Sequence, residues 1–123
     1  MTWPLWSVVE TTGYLQSARK VFSEDEQEEV VFYLSGNPTA GDVIAGGDNV
    51  ITGKDGLRKA RFASGGQGAQ RGSRVVYYFG GEDMPLILLL AYKKSVQKDL
   101  TSAQKKSLLE LLPRLRNAYK PKG

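Results

Sequence analysis

The sequence contains no cysteine and no histidine among its 123 residues. The first absence excludes disulfides and thiol nucleophiles; the two together exclude Cys/His zinc sites and imidazole acid–base catalysis. Long apolar runs are missing as well. The longest, Met84 to Ala91, falls far short of the ~20 residues that span a bilayer, so no membrane partner is expected. The N-terminus, Met1-Thr2-Trp3-Pro4, carries neither a basic stretch nor a signal-peptide core, which points to the cytoplasm. Basic residues are scarce in the first 50 positions: Arg19 and Lys20 stand against eight acidic side chains, a net of −6.

The remaining positions are the reverse. Residues 51–123 carry fifteen basic and five acidic side chains, a net of +10, so the overall +4 hides a segregated distribution. Segregation of this kind points to a nucleic acid or another polyanion as the partner of the basic part. A chain of this length is expected to form one domain over 1–123.

Leu5 to Thr11 reads as a short strand, being rich in β-branched and aromatic residues. Thr11 or Thr12 can cap a helix with Tyr14, Leu15, Ala18, Val21 and Phe22 on one face. Ser23 and Glu26 form a capping box that opens a second helix, and Glu24, Asp25 and Glu26 suit the positive end of its dipole. The acidic run Glu24–Glu29 therefore fits a helix start better than a metal site. Gly36 and Pro38 are expected to stop that helix, and Asn37 to Lys54, with five Gly or Pro residues, reads as a loop. Leu57 to Ala63, Arg74 to Phe79 and Leu86 to Tyr92 read as strands, the last apolar enough to be covered on both faces. Thr101 and Gln104 form a second capping box for a last helix, which Pro113 should end or kink; residues 113–123 then form a basic, loosely held tail. The expected order is β-α-α-β-β-β-α: a small α+β domain with a mainly antiparallel twisted sheet, an N-terminal helical hairpin and a C-terminal helix.

Alternation along Leu57–Ala63 puts Lys59 and Arg61 on one face. Arg74 on the next strand, and Lys93 and Lys94 after the following one, add cations, with Tyr77, Tyr78 and Tyr92 interleaved. Cations that neutralise phosphates and aromatic faces that stack on unpaired bases are the equipment for gripping single-stranded RNA. Gly65-Gly66-Gln67-Gly68 lacks a following Gly-Lys-Ser/Thr and a strand-to-helix setting, so it is a hairpin connection rather than a phosphate loop.

Gly56-Leu57-Arg58-Lys59-Ala60-Arg61-Phe62, Arg74-Val75-Val76-Tyr77-Tyr78, Leu88 to Lys94, and Lys98-Asp99-Leu100-Thr101 follow one another with a spacing that resembles the RelE/HigB-type toxins of bacterial type II toxin–antitoxin modules. The resemblance covers residues 5–112 in element order and is specific mainly in 56–101. It implies a ribosome-dependent mRNA endonuclease, needing no metal and no cofactor, that is neutralised by a cognate antitoxin, often a helix-turn-helix protein. By motif it implies Lys59, Arg61, Arg74 and Lys94 as catalytic residues, and Arg58, Arg71, Tyr78, Tyr92, Lys93 and Lys98 as RNA contacts. Relatives often carry an acidic residue where Val96 stands, and more positive charge where Ala69 and Gln70 stand. RNA cleavage by its own 2′-OH requires proton transfer and charge stabilisation but no protein nucleophile. A lysine, Lys59 or Lys94, suits the first role and the forked guanidinium of Arg61 or Arg74 the second. Both arginines are expected to be at least half exposed. The same scaffold also carries non-enzymatic inhibitors of topoisomerases of the ParE type, and could carry an inactive chain that only binds RNA or its antitoxin.

Overall fold

A computed structural model describes residues 6–45, 56–64, 72–81 and 84–119. Among the described residues, three helices and five strands follow in the order β1 (Val8–Glu10), α1 (Thr12–Val21), α2 (Glu24–Gly36), β2 (Asp42–Ala45), β3 (Gly56–Phe62), β4 (Ser73–Phe79), β5 (Leu86–Lys93) and α3 (Ser102–Tyr119). They build a small α+β fold around one mixed sheet, in spatial order β1-β5-β4-β3-β2. β1 runs parallel to β5, and the other three pairings are antiparallel.

Both capping boxes form as the sequence predicts. The Ser23 amide donates to Glu26 Oε1 (2.8 Å) and the Glu26 amide to Ser23 Oγ (3.1 Å); Thr101 and Gln104 repeat the pattern at 3.0 Å each way. Thr11 does more than cap α1. Its Oγ1 accepts from the Tyr14 amide and donates to the Leu88 carbonyl (2.8 Å), tying the start of α1 to the middle of β5.

The sheet lies between two apolar layers. On one face Tyr14, Ala18, Val21, Val30 and Leu34 from α1 and α2 pack on Ala60, Val75, Tyr77, Phe79, Leu86, Leu88 and Ala91. On the other, Leu112 and Leu115 of α3 pack on Leu57, Val76, Tyr78, Ile87, Leu89 and Tyr92. β4 is buried along its whole length and β5 over most of it, as a strand covered on both sides requires.

Two sequence expectations need correction. Residues 37–54 are not all loop, because Asp42–Ala45 pairs with β3 as an edge strand. Val43 and Ile44 are β-branched, but two such residues among glycines, with Val43 exposed, are too short a signal by themselves; the ladder offered by β3 completes the strand. Pro113 also fails to end α3, and residues 113–119 are helix rather than loose tail. Leu112 and Leu115 are buried on either side of the proline, and Arg116 donates to the Tyr78 hydroxyl at 2.6 Å. That packing outweighs the ~3 kcal/mol that an interior proline costs. The chain after residue 119 lies outside the described residues, as does the expected hairpin connection at residues 65–68.

Tyr14 is fully buried, and its hydroxyl meets no hydrogen-bond partner among the described residues. A buried hydroxyl without a partner costs about 1–3 kcal/mol of desolvation, which its removal would return. Tyr14→Phe should therefore leave thermal stability unchanged or raise it, by about 1 kcal/mol. A clear fall in melting temperature would mean the hydroxyl is satisfied.

Candidate nucleic-acid interface

The site follows from the register of β3 on β4. Arg61 lies directly opposite Arg74, and Lys59 opposite Val76. Directly opposed residues of an antiparallel pair share a face, so both arginines and Lys59 stand on the α3 side of the sheet. Arg74 in turn faces Tyr92 of β5. One row across three strands thus reads Arg61–Arg74–Tyr92. Like charges directly opposed in a ladder are destabilising by several tenths of a kcal/mol.

Tyr92 joins this row through a bulge. The β4–β5 register shifts between Val76 and Tyr77, so that Val76 pairs with Leu90 and Tyr77 with Leu88. Uninterrupted alternation would put Tyr92 on the same face as Leu88, against α1. The extra residue reverses the parity, and Tyr92 packs instead with Leu89, Leu112 and Leu115.

Asp99, in the connection between β5 and α3, completes the arrangement. Its Oδ1 accepts from Lys59 Nζ at 3.1 Å, from the Tyr92 hydroxyl at 3.4 Å and from the Leu100 amide at 2.8 Å. The Leu100 N–H, and after it the Lys59 ammonium, hold the Asp99 carboxyl below the usual carboxylate range. Burial, seconded by the Asp99 charge, pushes the Tyr92 phenol up to about 12. Tyr92 therefore stands as a neutral donor to a carboxylate. Sequence reasoning missed Asp99. Its only signal was its place in the Lys-Asp-Leu-Thr segment, 40 positions from Lys59.

Because Asp99 has a depressed folded-state pKa, its contribution to stability is present above the unfolded carboxylate value and lost as pH falls through the lower folded one. Asp99 is exposed, so the contribution is modest, about 0.5–1 kcal/mol. Asp99→Asn should melt slightly below wild type at neutral pH, and the gap should close below about pH 4. Thermal melts from acid to neutral pH check this; a constant gap would show that the charge on Asp99 contributes nothing to stability.

The remaining expected site residues separate. Lys59 is partly shielded, its side chain 23% exposed, and Arg61 is exposed. Arg74 is not half exposed as expected: it is 7% exposed, with Nη1 donating to the Ser73 carbonyl at 3.2 Å. Arg58, expected as an RNA contact, does not join Lys59 and Arg61. Alternation turns it to the opposite face, where it is 6% exposed. There Nη1 donates to the carbonyls of Thr39 (3.1 Å) and Gly41 (2.6 Å), and the guanidinium lies 5.6 Å from the centre of the Phe79 ring. Tyr77 supports the same connection, donating to the Pro38 carbonyl and accepting from the Gly41 amide. Gly41 is closely packed there: a Cβ would stand 3.0 Å from the Lys59 carbonyl group and from the Tyr77 ring, tighter than most side chains are placed.

The three tyrosines do not form a stacking platform. Tyr77, Tyr78 and Tyr92 are all buried, and Tyr77 lies on the α1 side of the sheet while Tyr78 lies on the other. Adjacent strand residues cannot share a face. Lys93 and Lys94 line a cleft at the end of the sheet with Ser64, Gly72, Ser73 and Ser95. Lys94 is exposed, and its amide donates to the Gly72 carbonyl at 2.7 Å. Lys98 is exposed in the β5–α3 connection. Arg71 lies outside the described residues, together with Ala69 and Gln70.

Among the described residues, no group of three or more Asp, Glu, His or Cys is placed to hold a metal ion, and no helix is long and apolar enough to cross a membrane. No family model matches the chain.

Proposed function

We propose that this protein is a RelE/HigB-type toxin: a cytoplasmic, ribosome-dependent mRNA endonuclease that arrests translation and is neutralised by a cognate antitoxin. The observation that carries the proposal is the directly opposed Arg61–Arg74 pair, with Lys59 one alternation along the same face. Two forked cations side by side match the paired oxygens of a phosphodiester. In this reading the substrate's 2′-OH attacks the adjacent phosphorus, and the P–O5′ bond breaks to leave a 2′,3′-cyclic phosphate and a 5′-hydroxyl. Arg61 contacts the phosphoryl oxygens as charge accumulates on them. Arg74, largely buried, holds the floor of the site and adds its positive field from below. Lys59, oriented by Asp99, or Lys94 handles the proton that leaves the 2′-oxygen or the one that reaches the 5′-oxygen.

The test is cleavage of a defined message on programmed ribosomes, read by primer extension, with the nucleic-acid-free protein added. New 5′ ends within the translated region, absent without ribosomes, are expected. Intact message would remove the nuclease reading. Intact message together with blocked DNA supercoiling would put the ParE-type inhibitor in its place.

A further inference from the structure

Away from the basic row, the outer surface of α1 and α2 carries a groove. Leu15, Val31 and Phe32 give it an apolar floor, and Glu10, Glu24 and Glu28 stand around it. Phe32 is 73% exposed, a large exposure for a phenylalanine on a helix. Among the described residues none of these three glutamates pairs with a cation. The surface of α3 is the chemical complement. There Lys105 and Lys106 flank Leu109, itself 37% exposed, beside Ser102 and Glu110. Neither lysine has an ion-pair partner among the described residues.

The two surfaces belong to layers on opposite faces of the sheet. A chain therefore cannot fill its own groove with its own α3. We propose that the acidic groove on α1 and α2 of one copy receives the lysine- and leucine-bearing face of α3 from a second copy, head to tail. This goes beyond the nuclease reading and does not depend on it, since neither surface includes Lys59, Arg61 or Arg74. Leu109 enters between Val31 and Phe32, and Lys105 and Lys106 reach the surrounding glutamates. The contact is heterologous: each copy uses one surface to receive and another to insert, so association continues into open chains unless the rotation closes a ring. Exposed charge pairs make the contact weak and salt-sensitive.

Light scattering and sedimentation of nucleic-acid-free protein, across a concentration series, test the proposal. Mass should rise with concentration at about 50 mM salt and return to that of the monomer at about 500 mM, where the Debye length is only a few ångströms. A mass that stays monomeric at low salt overturns the proposal. Two double variants localise the contact: Glu28→Lys with Phe32→Ala in the groove, and Lys105→Glu with Lys106→Glu on α3. These positions are exposed, and unchanged far-UV dichroism and melting establish that both variants fold.

Each variant alone should be monomeric. An equal mixture should form one-to-one dimers and nothing larger, because only one intact groove and one intact α3 face remain per pair. Self-association that survives in either variant, or a mixture that stays monomeric, overturns the assignment of the two surfaces.

Discussion

Arg61→Ala should lower the rate of message cleavage on programmed ribosomes by about 10²–10³-fold, equivalent to roughly 3–4 kcal/mol of transition-state stabilisation. That is the usual loss when one preorganised donor to a developing anion is removed. The same variant should melt close to wild type. Arg61 is exposed, and removing an exposed side chain usually changes stability by no more than about 0.5 kcal/mol. Activity lost while the melting temperature holds is the signature of a residue kept for function rather than for stability. Ribosome binding, measured in parallel, should weaken only slightly, with the salt dependence flattened by about one single-strand phosphate contact. Cleavage at the wild-type rate would remove Arg61 from the chemistry. Arg74→Ala is the less informative variant. It empties a largely buried position, so lost activity could follow from lost folding; Arg74→Lys, which keeps the charge but loses the fork, is the cleaner companion.

Arg58→Ala should do the opposite. Arg58 donates to two carbonyls in the connection between α2 and β2 and covers the Phe79 ring. Hydrogen bonds from a charged donor contribute about 1.5–3 kcal/mol each, and carbonyls left without that donor lose them outright. A loss of about 2–4 kcal/mol is expected, a large part of the 5–15 kcal/mol that holds a typical domain together. For a chain of this length that lowers the melting temperature by roughly 10 °C. Message cleavage by the folded fraction below the transition should match wild type. If Arg58→Ala instead melts like wild type and loses RNA affinity, the side chain leaves the protein surface to meet RNA, and its carbonyl contacts are dispensable.

These two arginines stand three positions apart on one strand and have opposite expected phenotypes. The difference is alternation. Odd and even positions of β3 face different layers, so Arg58 points toward the side of α1 and α2 while Lys59 and Arg61 point toward the side of α3. The sequence already contains that distinction, since any strand over 56–62 must separate Arg58 from Arg61. Composition alone, which counts every cation as a candidate phosphate ligand, does not.

Local signals did determine much of the molecule. The capping boxes at Ser23 and Thr101 start their helices because the partners sit three residues apart and need nothing else from the fold. The apolar run in β5 could only be an element covered on both sides. The choice of α+β, and the common face of Lys59 and Arg61, followed from periodicity. What only the tertiary structure decided is whatever depends on residues far apart in the chain. β2 is a strand because β3 offers it a ladder. α3 continues past Pro113 because Leu112, Leu115 and Arg116 are anchored on the sheet. The bulge opposite Val76 and Tyr77 fixes which face Tyr92 occupies, and the β5–α3 connection carries Asp99 to Lys59 across 40 positions. Helix caps and periodicity act over a few bonds, where sequence and energy correspond directly. Register, bulges and cross-chain ion pairs are set by the packing of the whole sheet, which no short window of sequence contains.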